Sequence, residues 1–127
     1  MSSTPNVARR ILIVDDHEML RRGVESIIRN NSLGEVCGEA GNGEEAIRKV
    51  QELNPDLVIL DVTMPMMSGL EAARQIRRIA PSTKIVILTM HNSPQMAEAV
   101  QEAGADALVV KTEAASTLAE AIKNLRY

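Results

Sequence analysis

Five short apolar runs rich in β-branched residues recur along this chain, each separated from the next by a stretch with helical spacing. The runs are "RILIV" (10–14), "EVCGEA" (35–40), "LVIL" (57–60), "KIVIL" (84–88) and "ALVV" (107–110). Between them, apolar residues fall at Leu20, Val24, Ile27 and Ile28, at Ala46, Val50 and Leu53, and at Leu70, Ala73 and Ile76. Two more helices are predicted around 94–103 and 114–125, the last carrying Leu118, Ile122 and Leu125 on one stripe. Ser93-Pro94 has the form of an N-cap with Pro at the first helical position, and Gly104 lies just past a helix end. Five strands alternating with five helices predict an α/β domain whose parallel sheet is covered by helices on both faces. Right-handed crossovers reduce the topology to a few doubly wound orders, 2-1-3-4-5 among them.

A chain of 127 residues suits one domain with a single sizeable core. Residues 9–127 are expected to form that domain, with a flexible tail over 1–8. The core must be aliphatic, because the sequence has no Trp, no Phe and one Tyr, Tyr127. The 14 basic residues are outnumbered by 17 acidic ones and are scattered, without aromatics between them, which argues against direct nucleic-acid binding. The lone Cys37 can form neither an internal disulfide nor a zinc site, and it reads as a core residue in an apolar strand. No apolar run approaches membrane-spanning length, and "MSSTPN" is not a signal peptide, so a cytoplasmic protein without membrane contact is expected.

In a doubly wound sheet all strands end on one edge, where ligands bind. The residues closing the strands are Asp15-Asp16, Asp61, Thr89 and Lys111, while the second strand ends near the turn "AGNG" (40–43). Singly, each has an ordinary reading: an Asp as helix N-cap, Thr89 as a β-branched strand residue, Lys111 as a solvated end. Together they place three carboxylates, a hydroxyl and an ammonium in one pocket. Three carboxylates repel one another, and one lysine cannot neutralise them all. An all-oxygen site with few protein ligands suits Mg²⁺. An Asp beside Mg²⁺ and Lys is in turn placed to take a phosphoryl group as an aspartyl phosphate.

The motifs "IVDDH" (13–17), "LDVTMPMMSGLE" (60–71), "ILTMH" (87–91) and "VVKT" (109–112) together resemble the receiver domain of a two-component response regulator, from about Arg10 to Leu125. "ILTMH" and Lys111-Thr112 are similar to the subgroup with a helix-turn-helix DNA-binding output. The resemblance implies a flavodoxin-like sheet in the order 2-1-3-4-5. It implies that Asp61 accepts phosphate from a sensor histidine kinase, and that Asp16, Asp15, Asp61 and the backbone carbonyl of Thr63 hold Mg²⁺. Thr89 would be the switch hydroxyl and Lys111 the phosphate-pairing cation. Pro65 and Gly69 match the turn after the acceptor, where Gly is expected to permit tight-loop backbone geometry. Homodimerisation on phosphorylation is expected, with DNA contacted only through a C-terminal output domain not present in this chain. Such a module is a switch and not a turnover enzyme.

This chain departs from the family pattern three positions before the lysine, where Leu108 stands in place of the usual aromatic switch residue. Any signal is therefore expected to travel by loop and helix movement around 90–105. His17 reads as a loop or first-turn residue, and His91 as a neighbour of the pocket. Met64, Met66 and Met67 read as adaptable packing or as part of a docking rim. "GNGEE" is a turn, because no Lys-Ser/Thr follows it. "DVT" after a strand superficially resembles the start of haloacid dehalogenase-like phosphatases, which use an aspartyl-phosphate intermediate. That family, however, has its nucleophile on the first strand and a second acid two positions later, where this chain has Thr63. A flavin domain of the same topology would need a phosphate-binding first loop, whereas "DDHEML" is acidic and lacks glycine. A degenerate receiver acting only in dimerisation would not need the acidic pair, Asp61, Thr89 and Lys111.

Overall fold

The computed structural model describes residues 9–127, so the expected tail over 1–8 lies outside the described residues. In chain order the elements are β1 (Arg10–Val14), α1 (Glu18–Asn30), β2 (Glu35–Ala40), α2 (Gly43–Leu53), β3 (Leu57–Asp61) and α3 (Gly69–Ile79). Then follow β4 (Lys84–Thr89), α4 (Pro94–Glu102), β5 (Ala107–Val110), a 3₁₀ turn (Lys111–Glu113) and α5 (Ala114–Lys123). The five strands form one sheet in the order β2-β1-β3-β4-β5, and every pairing is parallel. The expected topology holds, and the third and fourth strands each run one residue further than their apolar cores, to Asp61 and Thr89.

Strand alternation divides the core between the two faces of the sheet. Leu12, Val14, Val58, Leu60, Ile85 and Ile87 point to one side, against Ala46 and Val50 of α2, Ala72, Ala73 and Ile76 of α3, and Val100 of α4. Ile11, Ile13, Leu57, Ile59, Val86, Leu88 and Val109 point to the other, against Val24 and Ile28 of α1 and Leu118 and Ile122 of α5. β3 lies between β1 and β4 and is buried along its whole length, which is why its sequence is continuous in apolar residues until Asp61. α4 is held more thinly than its neighbours, with Val100 its one fully buried residue.

Polar residues close the helix ends. Asn42, Ser68 and Ser93 each accept a hydrogen bond from the amide three residues on, at 2.9, 3.2 and 3.1 Å. Such a cap stabilises a helix by about 1 kcal/mol. Glu45 also reaches back past the cap, accepting from the Gly41 amide at 2.7 Å, so "GNGEE" is a capping turn. Gly104 ends α4 at φ +86°, a conformation that disfavours any side chain.

Cys37 differs from its expected core position. β2 is an edge strand, and its register with β1 shifts so that Ile11 faces Val36 while Leu12 faces Gly38. Cys37 is bypassed in that bulge and left half-buried. Burial pushes its thiol pKa up, so the residue has little thiolate character.

Candidate functional site: an acidic pocket at the carboxyl edge of the sheet

The pocket is built from the ends of β1 and β3 and the turn after β5. Asp61 terminates the central strand and is 1% exposed; Asp15, next along the edge, is equally buried. Lys111 opens the 3₁₀ turn, and its ammonium lies 2.9 Å from Asp61 Oδ1 and 3.5 Å from Asp15 Oδ2. The Thr63 amide donates to Asp61 Oδ1 at 3.1 Å, and the His17 amide donates to Asp15 Oδ1 at 2.9 Å. One oxygen of each carboxylate is thus fixed. The other two, Asp15 Oδ2 and Asp61 Oδ2, are buried without a hydrogen-bond partner. The 3.5 Å separation from Lys111 gives Asp15 Oδ2 charge contact but is too long for a good hydrogen bond.

Buried unpaired carboxylate oxygens are costly, and the electrostatics of Asp61 reflect it. Burial pushes its pKa up, the Lys111 and Thr63 hydrogen bonds pull it down, and the neighbouring Asp15 pushes it up again. The upward influences prevail. One lysine therefore leaves the site short of positive charge, as the residue count in the sequence implies.

Asp16 stands at the mouth, exposed, with its Oδ1 3.0 Å from His17 Nδ1. Asp15, Asp16 and His17 each offer a ligand atom, all within 4.8 Å of one another. His17 itself is the N-cap of α1, at the end of the loop and just before the first turn, and its side chain is 69% exposed. Two orphaned carboxylate oxygens in an oxygen-rich pocket fit a hard divalent cation of the Mg²⁺ type.

Thr89 closes β4, the strand beside Asp61. Its hydroxyl donates to the His91 carbonyl at 3.1 Å and accepts from the His91 amide at 3.3 Å. Here it folds its own loop instead of bonding Asp61, and His91 meets Thr89 through its backbone alone. Leu108 is half-buried, opposite Ile87, and packs against the cluster that includes Val100.

The loop after Asp61 separates the three methionines that sequence alone left together. Met64 is buried and Met67 half-buried, both in the core cluster, while Met66 is 79% exposed at φ +71°. Met19 in the first turn of α1 and Met90 directly after Thr89 are also exposed, so solvent-facing thioethers follow β1, β3 and β4 alike. The structure also gives Gly69 a different role from the one expected. Gly69 does not adopt a left-handed conformation; instead its backbone packs against Asp61, with its amide donating to the Val62 carbonyl at 2.9 Å. Steric contact, and not torsional freedom, demands glycine there.

Residues 11–123 match the response regulator receiver domain family. The chain belongs to that family. It is 40% identical over 114 residues to response regulator protein VraR of Staphylococcus saprophyticus, an alignment covering 90% of this chain and 54% of the relative. The receiver-family chain thus spans about half the length of the curated relatives it matches. Among solved structures, a two-component response regulator of the LuxR family from Aurantimonas superposes with a TM-score of 0.86 at 37% identity, covering 91% of this chain and 83% of that one. A DNA-binding response regulator of the LuxR family from Staphylococcus aureus gives 0.82 at 32% identity, covering 91% and 96%. Among the described residues, no helix of this receiver domain is long and apolar enough to cross a membrane.

Proposed function

We propose that this receiver domain is a phosphorylation-dependent switch in which Asp61 takes a phosphoryl group from the phosphohistidine of a sensor histidine kinase. The observation that carries the reading is the state of Asp61: a carboxylate at the end of the central strand, with one oxygen held by Lys111 and Thr63 and the other unpartnered. In the transfer, an Asp61 oxygen forms a bond to phosphorus as the phosphorus–nitrogen bond to the donor imidazole breaks. The imidazole nitrogen keeps that electron pair and takes up a proton. Hydrolysis by water later returns inorganic phosphate and free Asp61, so the module resets itself without turning over a separate substrate.

Asp15, Asp16, Asp61 and the backbone carbonyl of Thr63 would hold Mg²⁺, which when bound neutralises charge on the transferring oxygens. Lys111 supplies the fixed cation, held against Asp61 Oδ1 at 2.9 Å. Thr89 donates a hydrogen bond to a phosphoryl oxygen once its hydroxyl leaves His91, and the loop of Met90 and His91 follows. Thin packing of α4 favours that helix as the element that moves. The position two residues after Asp61 offers a backbone amide and a threonine, not the second acid of a haloacid dehalogenase-like phosphatase.

The output is transcription, controlled from the cytoplasm through a DNA-binding domain outside this chain, with homodimerisation on phosphorylation. The DNA-binding description of the Staphylococcus aureus neighbour supports that assignment. Intact-mass measurement with acetyl phosphate, with and without Mg²⁺, tests the reading. Wild type should gain one phosphoryl group only with Mg²⁺, and Asp61→Asn should gain none. Equal modification of the variant would overturn the assignment.

A further inference from the structure

We propose that Arg21, aimed by Glu39, is a positioning residue for the divalent-cation pocket; this rests on reading Asp15, Asp16 and Asp61 as that pocket. Arg21 lies early in α1, and its guanidinium turns back over the loop that joins β1 to α1. Nη1 donates to the Asp15 carbonyl at 2.5 Å, while Nε donates to Glu39 Oε1 at 2.7 Å. The Arg21 side chain is 19% exposed and its bond to the Asp15 carbonyl is part-buried, while Glu39, 46% exposed, holds the guanidinium from the solvent side. Glu39 sits near the end of β2, and its own carbonyl accepts from Lys49 of α2. One guanidinium therefore ties the acidic loop to an adjacent strand that α2 holds in turn.

Asp15 is fixed at almost every polar atom. Its amide donates to the Ala40 carbonyl at 3.0 Å, its carbonyl accepts from Arg21, and Oδ1 accepts from the His17 amide. Oδ2 remains, buried and unpartnered, facing the Lys111 side of the pocket. Holding the backbone in this way presents that oxygen to a cation without an ordering cost at binding.

The charge arrangement explains why Glu39 is needed. A free guanidinium beside two aspartates would pair with their carboxylates and compete with the cation. Glu39 neutralises Arg21 and directs its fork to a carbonyl, so the carboxylates stay available. Lysine cannot reproduce this, because one ammonium lacks the planar fork that meets both acceptors.

Positioning and simple electrostatics predict opposite signs. Removing a positive charge near a cation site should tighten binding, whereas removing the clamp should weaken it. The test is Mg²⁺ titration followed by amide chemical shifts, on wild type, Arg21→Gln, Arg21→Lys, Glu39→Gln and the Arg21→Gln/Glu39→Gln double variant. Melting in EDTA sets a temperature at which each variant is folded. Mg²⁺ Kd should rise about tenfold in Arg21→Gln, the low end for loss of an outer-shell partner. Arg21→Lys should weaken binding comparably although it keeps the charge, and the double variant should be no weaker than Arg21→Gln alone. Should Arg21→Gln not fold, Arg21→Lys and Glu39→Gln carry the same test. Unchanged or tighter Kd in the folded Arg21 variants overturns the proposal, even if they melt lower in EDTA. Absence of Mg²⁺ binding by wild type would overturn the pocket itself and this role with it.

Discussion

A β-carbon placed on Gly69 would lie 2.0 Å from the carbonyl oxygen of Asp61. It would also stand 2.8 Å from the Asp61 carbonyl carbon and from Val62 Cα, so backbone would have to move. Gly69→Ala should cost about 3 kcal/mol, the upper end for an overpacked site. Because the displaced atoms belong to Asp61, phosphorylation by acetyl phosphate should also slow. Urea unfolding and initial rates check both; a wild-type unfolding midpoint would show that the turn accommodates a methyl group.

The raised pKa of Asp61 sets a pH dependence. A carboxyl that holds its proton more tightly folded than unfolded stabilises the fold least when ionised. The penalty is absent below the unfolded value near pH ~3.9, grows as pH rises through it towards the folded value, and is complete above. In EDTA at neutral pH, Asp61→Asn should therefore melt several degrees higher than wild type, and the gap should close on acidification. Thermal melts across pH would show it; a wild type that melts higher at neutral pH would mean that Lys111 outweighs burial.

Mg²⁺ should stabilise the folded domain by occupying its acidic pocket. At tenfold excess over Kd the gain is about 1.4 kcal/mol for one site. Asp16→Asn should lose most of this rise in melting temperature, since Asp16 is the carboxylate at the mouth. Equal Mg²⁺ responses in the two proteins would remove Asp16 from the ligand set.

Thr89 and Leu108 should separate chemistry from signal. Thr89→Ala should still accept phosphate yet lose the loop and helix response, because the hydroxyl that exchanges His91 for a phosphoryl oxygen is gone. Leu108→Ala should cost about 2 kcal/mol, the low end for a half-buried leucine, and leave Mg²⁺-dependent phosphorylation intact. Amide exchange over residues 90–110, with and without beryllofluoride, distinguishes the outcomes. A wild type unchanged there but altered on another face would redirect the signal's route.

What the sequence made legible was whatever repeats in phase with the fold. Strand ends converge on one edge by topology alone, so Asp15, Asp61 and Lys111 could be gathered before any distance was known. Contacts that join residues through space without a periodic signature stayed hidden. The clash that makes Gly69 obligatory involves backbone eight positions earlier, and local rules attribute such a glycine to torsion. Arg21 looked like one scattered basic residue among many, since its partner Glu39 lies on a different element. The three methionines after Asp61 share one composition but divide by loop path, which burial alone resolves. Cys37 read as core because its run is apolar, whereas edge position and a bulge leave it half out.

That bulge bears on how copies of this domain can associate. An open sheet edge invites pairing with another chain, and long regular edges are the dangerous ones. Here β2 skips a residue against β1 and carries Glu35 and Glu39, while the opposite edge, β5, is only four residues long. Both borders are poor templates for a sixth strand. Any pairing of two such domains is thereby directed to helical faces, where it can be made and undone without lengthening the sheet.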